Sequence, residues 1–256
     1  MNLSDWIIAI PSYKRQDTLI EQTLATLKHY KIPHSRITVF VADKEEKKLY
    51  EEAIPKGAVK DIVVGVLGMD KIRNFIADYY PKGKHIVMID DDIRGFSRKD
   101  GENNVKPLGD LISLIETGFK TATAEKCCLW GIYPVNNGLF MKDTVTTDLR
   151  FIIGCFWGII NPQAYKDPRG IVIPMPGKED YTRTLLAFER DGKVVTFNFV
   201  AVVSTIYNPH GGLNVGNRLK RDKLGVQYLL KKYPDKVHLR KDANSMFPEI
   251  SLNRHG

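Results

Sequence analysis

The chain has 256 residues, 43% hydrophobic and 27% charged, ordinary values for a soluble globular protein with one sizeable core or two small ones. Three cysteines, two of them adjacent (Cys127 and Cys128), exclude a disulfide framework and a zinc pattern. The absence of any apolar stretch of membrane-spanning length, and of a basic flank after Met1, leads us to expect a cytoplasmic protein without a membrane partner. A formal net charge of +8 suits a polyanionic partner such as nucleic acid, though basic balance alone is a weak sign.

Taken in order, Trp6-Ile7-Ile8-Ala9-Ile10 is a buried-strand run ended by Pro11, and Ser12-Tyr13-Lys14-Arg15 follows as a loop. A helix is predicted to open on the capping-box pattern Thr18-x-x-Glu21, with Ile20, Leu24 and Leu27 inward. Residues 37–42 form a second strand, with Asp43 at its end, and residues 44–53 a charged helix. A third strand at 62–66 leads to Gly68 and a helix burying Ile72, Phe75, Ile76 and Tyr79. His85-Ile86-Val87-Met88-Ile89 is the fourth strand and runs into Asp90-Asp91-Asp92. This alternation predicts an α/β fold with a mostly parallel sheet flanked by helices.

In the second half, Pro107 is expected to open a helix carrying Leu108, Leu111, Ile115, Phe119 and Ala122. Residues 128–133 and 151–160 are strand-like and aromatic. Gly177-Lys178-Glu179-Asp180 leads a helix closed by Asp191-Gly192. Residues 194–207 alternate as a strand, broken at Asn208-Pro209-His210-Gly211-Gly212, and a basic helix spans roughly 219–233. With no repeat and no clear linker, the chain is expected to be a single domain over 1–256, with halves at 1–106 and 107–256.

The acid triplet is the strongest chemical signal. If the strand alternation continued, Asp90 and Asp92 would face one side and Asp91 the other. Adjacent carboxylates repel unless a cation offsets them, and Mg²⁺ or Mn²⁺ with a phosphate is a natural partner. The plain alternative is an acidic turn. Glu179-Asp180 equally suits a helix first turn, where acids meet the positive dipole end.

The ordered set of Gly68, Asp90-Asp91-Asp92, Glu179-Asp180 and His210 resembles the GT-A glycosyltransferases, over about residues 6–217. More narrowly, Ile10-Pro11-Ser12-Tyr13-Lys14-Arg15, Arg73-Asn74 and the triple Asp resemble the TET-associated glycosyltransferases of bacteriophages, which act on hydroxymethylated pyrimidines in DNA. The resemblance implies a metal-dependent, inverting transfer from a UDP-sugar, UDP-glucose being the first candidate. It implies a donor half at 1–106, an acceptor half at 107–256 and, in the phage setting, the infected host's cytoplasm. Asp180, or else Glu179, would be the general base; Asp92 and His210, with Asp90, would hold the metal. Pro11, Ser12, Tyr13, Arg15, Asp43, Gly68, Arg73, Asp90 and Asp91 would meet the nucleotide-sugar. Asp91 is also open to a supporting role behind the ligands. Trp157, Lys220, Arg221 and Lys223 would meet the acceptor DNA. Three rivals remain: the same transfer to a glycan, lipid or protein; a two-metal nucleotidyltransferase; and a non-catalytic DNA-binding module.

Overall fold

A computed structural model describes residues 5–204, 215–240 and 248–253. The first half is the expected alternation. Strands β1 (Trp6–Pro11), β2 (Ile37–Val41), β3 (Asp61–Val64) and β4 (His85–Ile89) pair in parallel in the order β3-β2-β1-β4. Helix α1 covers residues 16–29; helices α2 (Lys44–Ala53) and α3 (Met69–Tyr79) follow β2 and β3. The expected capping box is absent. Thr18 already lies inside α1, whose first residue is Gln16, and a π-helical stretch Leu19–Leu24 interrupts it.

The next two strands were not foreseen. β5 (Ile93–Asp100) and β6 (Asn104–Pro107) form an antiparallel hairpin directly after the acid triplet, turning at Gly101 with φ +63°. Pro107 therefore ends a strand. Helix α4 (Leu111–Ala124) starts at Asp110, whose carboxylate accepts a hydrogen bond from the Ser113 N–H at 2.9 Å. Strands β7 (Leu129–Tyr133), β8 (Val145–Thr146), β9 (Phe156–Ile160) and β10 (Val195–Ser204) complete the large sheet. β9 runs antiparallel between β4 and β7, so the sheet is parallel on the β1 side and mixed beyond it. Helices α5 (Glu179–Asp191) and α6 (Val215–Lys232) and a small hairpin of β11 (Val237–Leu239) and β12 (Ile250–Leu252) follow. No described helix is long and apolar enough to cross a membrane.

The period of two along β1 sorts the core. Ile8 and Ile10 pack with Leu19, Leu24, Leu27, Tyr50 and Leu111 on one face of the sheet. Ile7 and Ala9 pack with Ile72, Ile76, Trp157 and Ala187 on the other. A third cluster, including Leu185, Val226, Leu229 and Ile250, joins α5, α6 and β12. Each such fully buried aliphatic side chain contributes roughly 1.5–3 kcal/mol.

Trp130, fully buried, is seated against two glycines. A Cβ on Gly118 would lie 2.5 Å from its Cε2, and one on Gly158 would also collide with the indole. Overpacking costs about 1–3 kcal/mol, whereas Gly→Ala inside a helix gains about 1 kcal/mol at most. Gly118→Ala should therefore be net destabilising by about 1 kcal/mol in denaturant titration. A variant more stable than the wild type would mean that Trp130 can shift freely.

Candidate active site

The chain leaves the carboxyl ends of β1 and β4 side by side, where open α/β sheets bind ligands. β4 stops at Ile89, so the acid triplet lies in a turn and the expected strand alternation does not apply. Each carboxylate instead meets an arginine, Asp91 and Asp92 sharing one between them. Asp90 Oδ1 accepts from Arg73 Nη2 at 2.7 Å. Asp91 Oδ1 pairs with Arg15 Nη1 at 2.8 Å, and Asp91 Oδ2 accepts from Ser12 Oγ at 2.6 Å. Asp92 Oδ2 takes the other arm of Arg15, Nη2, at 3.1 Å. The triplet backbone is fixed too: Asp90 N–H donates to Cys155 O, and the Thr23 hydroxyl donates to Asp90 O while accepting from Ile93 N–H.

Tyr50, from α2, anchors the 12–15 loop by accepting from the Arg15 N–H at 3.0 Å and sharing a 2.7 Å hydrogen bond with Ser12 Oγ. The Lys14 N–H donates to Glu46 Oε2 at 2.9 Å, which helps hold Lys14 at φ +53°. Burial pushes the Asp91 carboxyl up to about 7 against the opposing pull of Arg15 and Ser12. Asp90 is raised as well, by burial first and by Asp92 and Glu179 next, with Arg73 opposing.

A cavity of about 340 Å³ opens beside the triplet, lined by Pro11, Ser12, Tyr13, Arg15, Gly68, Asp90 and Asp91, with Phe40, Val66, Leu67 and Ile72 as its apolar wall. Seven expected donor residues thus meet around one space. Gly68 opens α3 at φ +113°, a conformation that side chains disfavour. Arg221, expected on a DNA surface, lines this same cavity from α6. A larger open groove of about 720 Å³ lies between α1 and the β5–β6 hairpin, away from the acids.

Three of the expected residues do not line this cavity. Asp43 is not a cavity wall; it caps α2, its Oδ1 accepting from the Glu46 N–H at 2.8 Å. Arg73 is only 3% exposed and does not reach the cavity; it holds Asp90 and the Gly154 carbonyl from below. Trp157 is buried, its Nε1–H donating to Gly154 O and its ring face covered by Arg183 at 3.9 Å, so it offers no platform to an acceptor. His210 lies outside the described residues, as do Gly211 and Gly212.

The second acidic pair stands on the far side of Gly154. A Cβ on that glycine would come within 3.2 Å of Glu179 Oε1 and 3.6 Å of Asp180 Oδ2, so both acids lie close against the chain at this point. Both acids are half-buried in the first turn of α5, after Gly177 at φ +92° and Lys178 at φ +54°. Burial and the neighbouring Glu179 carboxylate push Asp180 up to about 7, opposed by Arg183 and the Tyr181 N–H. That range suits a general base. Arg183, which sequence reading missed, is fully buried and donates to Ile152 O at 2.9 Å; burial lowers its pKa to about 10. Its place three and four residues after the acids, on the same helix face, was the available signal.

Among the described residues no group of three or more His, Cys, Asp or Glu is arranged to hold a metal. Asp90 and Asp92 nevertheless suit a divalent ion bound largely through phosphate oxygens. Each commits one named oxygen to an arginine, and their side chains are 29% and 25% exposed.

No family model and no curated protein matches this sequence. Among solved structures, an active-site mutant of LgtC aligns over 60% of this chain and 56% of its own, with 11% identity and a TM-score of 0.35. The glycosyltransferase GlyE of Streptococcus pneumoniae TIGR4 aligns over 61% of this chain and 34% of its own, with 12% identity and a TM-score of 0.30. This chain thus spans about half and about a third of those two chains. A likeness of this degree assigns no role to any residue.

Arg15 generates the first site prediction. The Asp91 pKa lies above its unfolded value of about 3.9, so its ionisation opposes folding as pH rises from about 4 through about 7. Arg15→Met removes the counter-charge and should deepen that loss. The expected deficit is about 3 kcal/mol at pH 8, the lower end for a broken buried pair, and smaller at pH 5. Equal deficits at both pH values in urea titrations would show that Asp91 does not depend on Arg15 for its charge.

Proposed function

We propose that this protein transfers a sugar from a UDP-sugar to an acceptor hydroxyl, with inversion. The observation that carries the reading is the joining of two acidic centres through Arg73 and Gly154: Asp90–Asp92 beside a cavity sized for a nucleotide, and Glu179–Asp180 beyond it. The apolar wall formed by Phe40, Val66, Leu67 and Ile72 suits a nucleobase, and Arg15 and Arg221 bring positive charge to the same space for a diphosphate. UDP-glucose is the first donor to test.

Asp180 takes the proton of the acceptor hydroxyl. The oxygen forms its bond to the anomeric carbon, and the bond from that carbon to the phosphate oxygen breaks, with UDP leaving as the electron pair's carrier. Glu179, the neighbouring carboxylate, raises the proton affinity of Asp180. Asp90 and Asp92 would hold Mg²⁺ or Mn²⁺, with His210 as a further candidate ligand, and such an ion when bound would neutralise charge on the leaving diphosphate.

For the acceptor we propose a hydroxymethylated pyrimidine in DNA. The net charge of +8 and the exposed Lys220 and Lys223 on α6, the helix that also brings Arg221 to the donor cavity, support it.

Turnover should rise with pH through about 7, because only ionised Asp180 accepts a proton. Asp180→Asn should lower kcat by roughly 10²- to 10⁴-fold while UDP affinity holds. A loss confined to KM would make Asp180 a binding residue and turn attention to Glu179. For DNA, replacing Lys220 and Lys223 by Gln should flatten the salt dependence of binding by roughly one unit per lost phosphate contact. An unchanged slope would remove this helix from the acceptor surface.

A further inference from the structure

Glu179 and Asp180 begin α5, and the residue before them is held in an unusual way. Lys178 lies at φ +54°, a left-handed conformation that a lysine keeps only where its surroundings hold it there. Its carbonyl receives the Thr182 N–H and the Thr182 hydroxyl, both at 2.9 Å, so its placement sets where the first turn of α5 starts. Support comes from α6. A side chain on Gly177 would collide with the Arg221 carbonyl, and a Cβ on Gly225 would lie 3.3 Å from Lys178 Cβ. The turn and the helix are therefore in close contact. Here Asp222 Oδ2 stands 3.6 Å from Lys178 Nζ, the two side chains being only 13% and 16% exposed.

An ion pair at this point has an electrostatic consequence. The Lys178 ammonium favours the ionised form of Asp180. Asp222 draws that ammonium toward α6 and sets an opposing charge beside it. The other groups facing Asp180 are Glu179, Tyr181 and Arg183 on α5, and the Cys155 thiol on the segment leading into β9. Arg183 is fixed to the Ile152 carbonyl, whereas Lys178 is held by a carboxylate on a second element.

We propose that Asp222 is a positioning residue for the reaction: acting through Lys178, it holds the turn that opens α5 and limits the pull of the lysine charge on Asp180. The proposal rests on the reading of Asp180 as the base of glycosyl transfer. Asp222 also follows Arg221 of the donor cavity, so one turn of α6 meets both halves of that reaction.

The test is a pH titration of the full chain, labelled with ¹³C at the aspartate carboxyl carbons and read by NMR, with Asp180→Asn identifying the Asp180 signal. In Lys178→Gln the Asp180 midpoint should rise, because a charge that favours ionisation is gone. In Asp222→Asn it should fall, because the lysine is released toward the acid. Each shift should be roughly half a pH unit, the scale of one charge acting across partly hydrated surroundings. The double variant should stay with Lys178→Gln, since Asp222 acts through the lysine, whereas independent effects would cancel. It also leaves no covered charge without its partner, so it carries the comparison should Asp222→Asn alone fail to fold. An Asp180 midpoint unmoved by Lys178→Gln, shifts of the same sign in both single variants, or a double variant back at the wild-type midpoint would each overturn the proposal. The titration needs neither donor nor acceptor. Turnover that survives Asp180→Asn would instead overturn the base assignment, so the two failures are distinguishable.

Discussion

Everything at the site depends on holding three consecutive carboxylates together at one end of the sheet. Isolated burial of one such charge is so unfavourable that the group would take up a proton instead. Arg15 meets two of the acids with two arms, and Arg73 meets the third from beneath. The arginines are in turn held by the fold: Arg15 through its N–H on Tyr50, Arg73 through Gly154 O. Helices α2 and α3 therefore shape the site through these contacts as well as through core packing. Ser12 adds a neutral donor to Asp91, which leaves that carboxylate occupied on both oxygens and suited to fixing the loop more than to touching a ligand.

The same logic extends to Gly154. Arg73 donates to its carbonyl, and Glu179 and Asp180 lie close against its Cα. Gly177 and Gly225 mark a second close approach. A side chain on Gly177 would run into the Arg221 backbone, and one on Gly225 into the Gly177 carbonyl, so α6 lies directly on the turn that opens α5. That contact, with the Lys178–Asp222 pair at 3.6 Å, fixes the helix that brings Arg221 to the donor cavity. The basic helix expected to meet DNA thus divides its charges: Arg221 turns to the cavity, while Lys220 and Lys223 remain exposed.

What sequence could reveal followed from periodicity and from clustered charge. Continuous apolar runs identified β1 to β4 because strands buried on both faces need them, and acids at the end of β4 marked the site. The β5–β6 hairpin was hidden because Ile93 to Asp100 mixes two arginines and a lysine into a strand with one exposed side. Direction was hidden too: nothing local in residues 156–160 says that β9 will insert antiparallel between β4 and β7. Asp43 and Trp157 were assigned by place in the chain, and local geometry gives each a contact within the fold. A cap satisfies the start of α2, and a tryptophan between two arginines serves as packing.

Arg183 is the residue whose burial has most consequence for the chemistry. Its Nε and Nη1 lack hydrogen-bond partners among the described residues, so its positive charge is poorly compensated by direct contacts. An uncompensated guanidinium beneath two acids stabilises their ionised forms through space, while burial and mutual repulsion push the other way. Trp157 makes that arrangement tolerable by offering its ring face to the cation at 3.9 Å. Removing the arginine would push the Asp180 pKa further up, and removing Glu179 would bring it down. Burial first, and then the opposing neighbours, set the carboxyl near 7, the range that the proposed base role calls for.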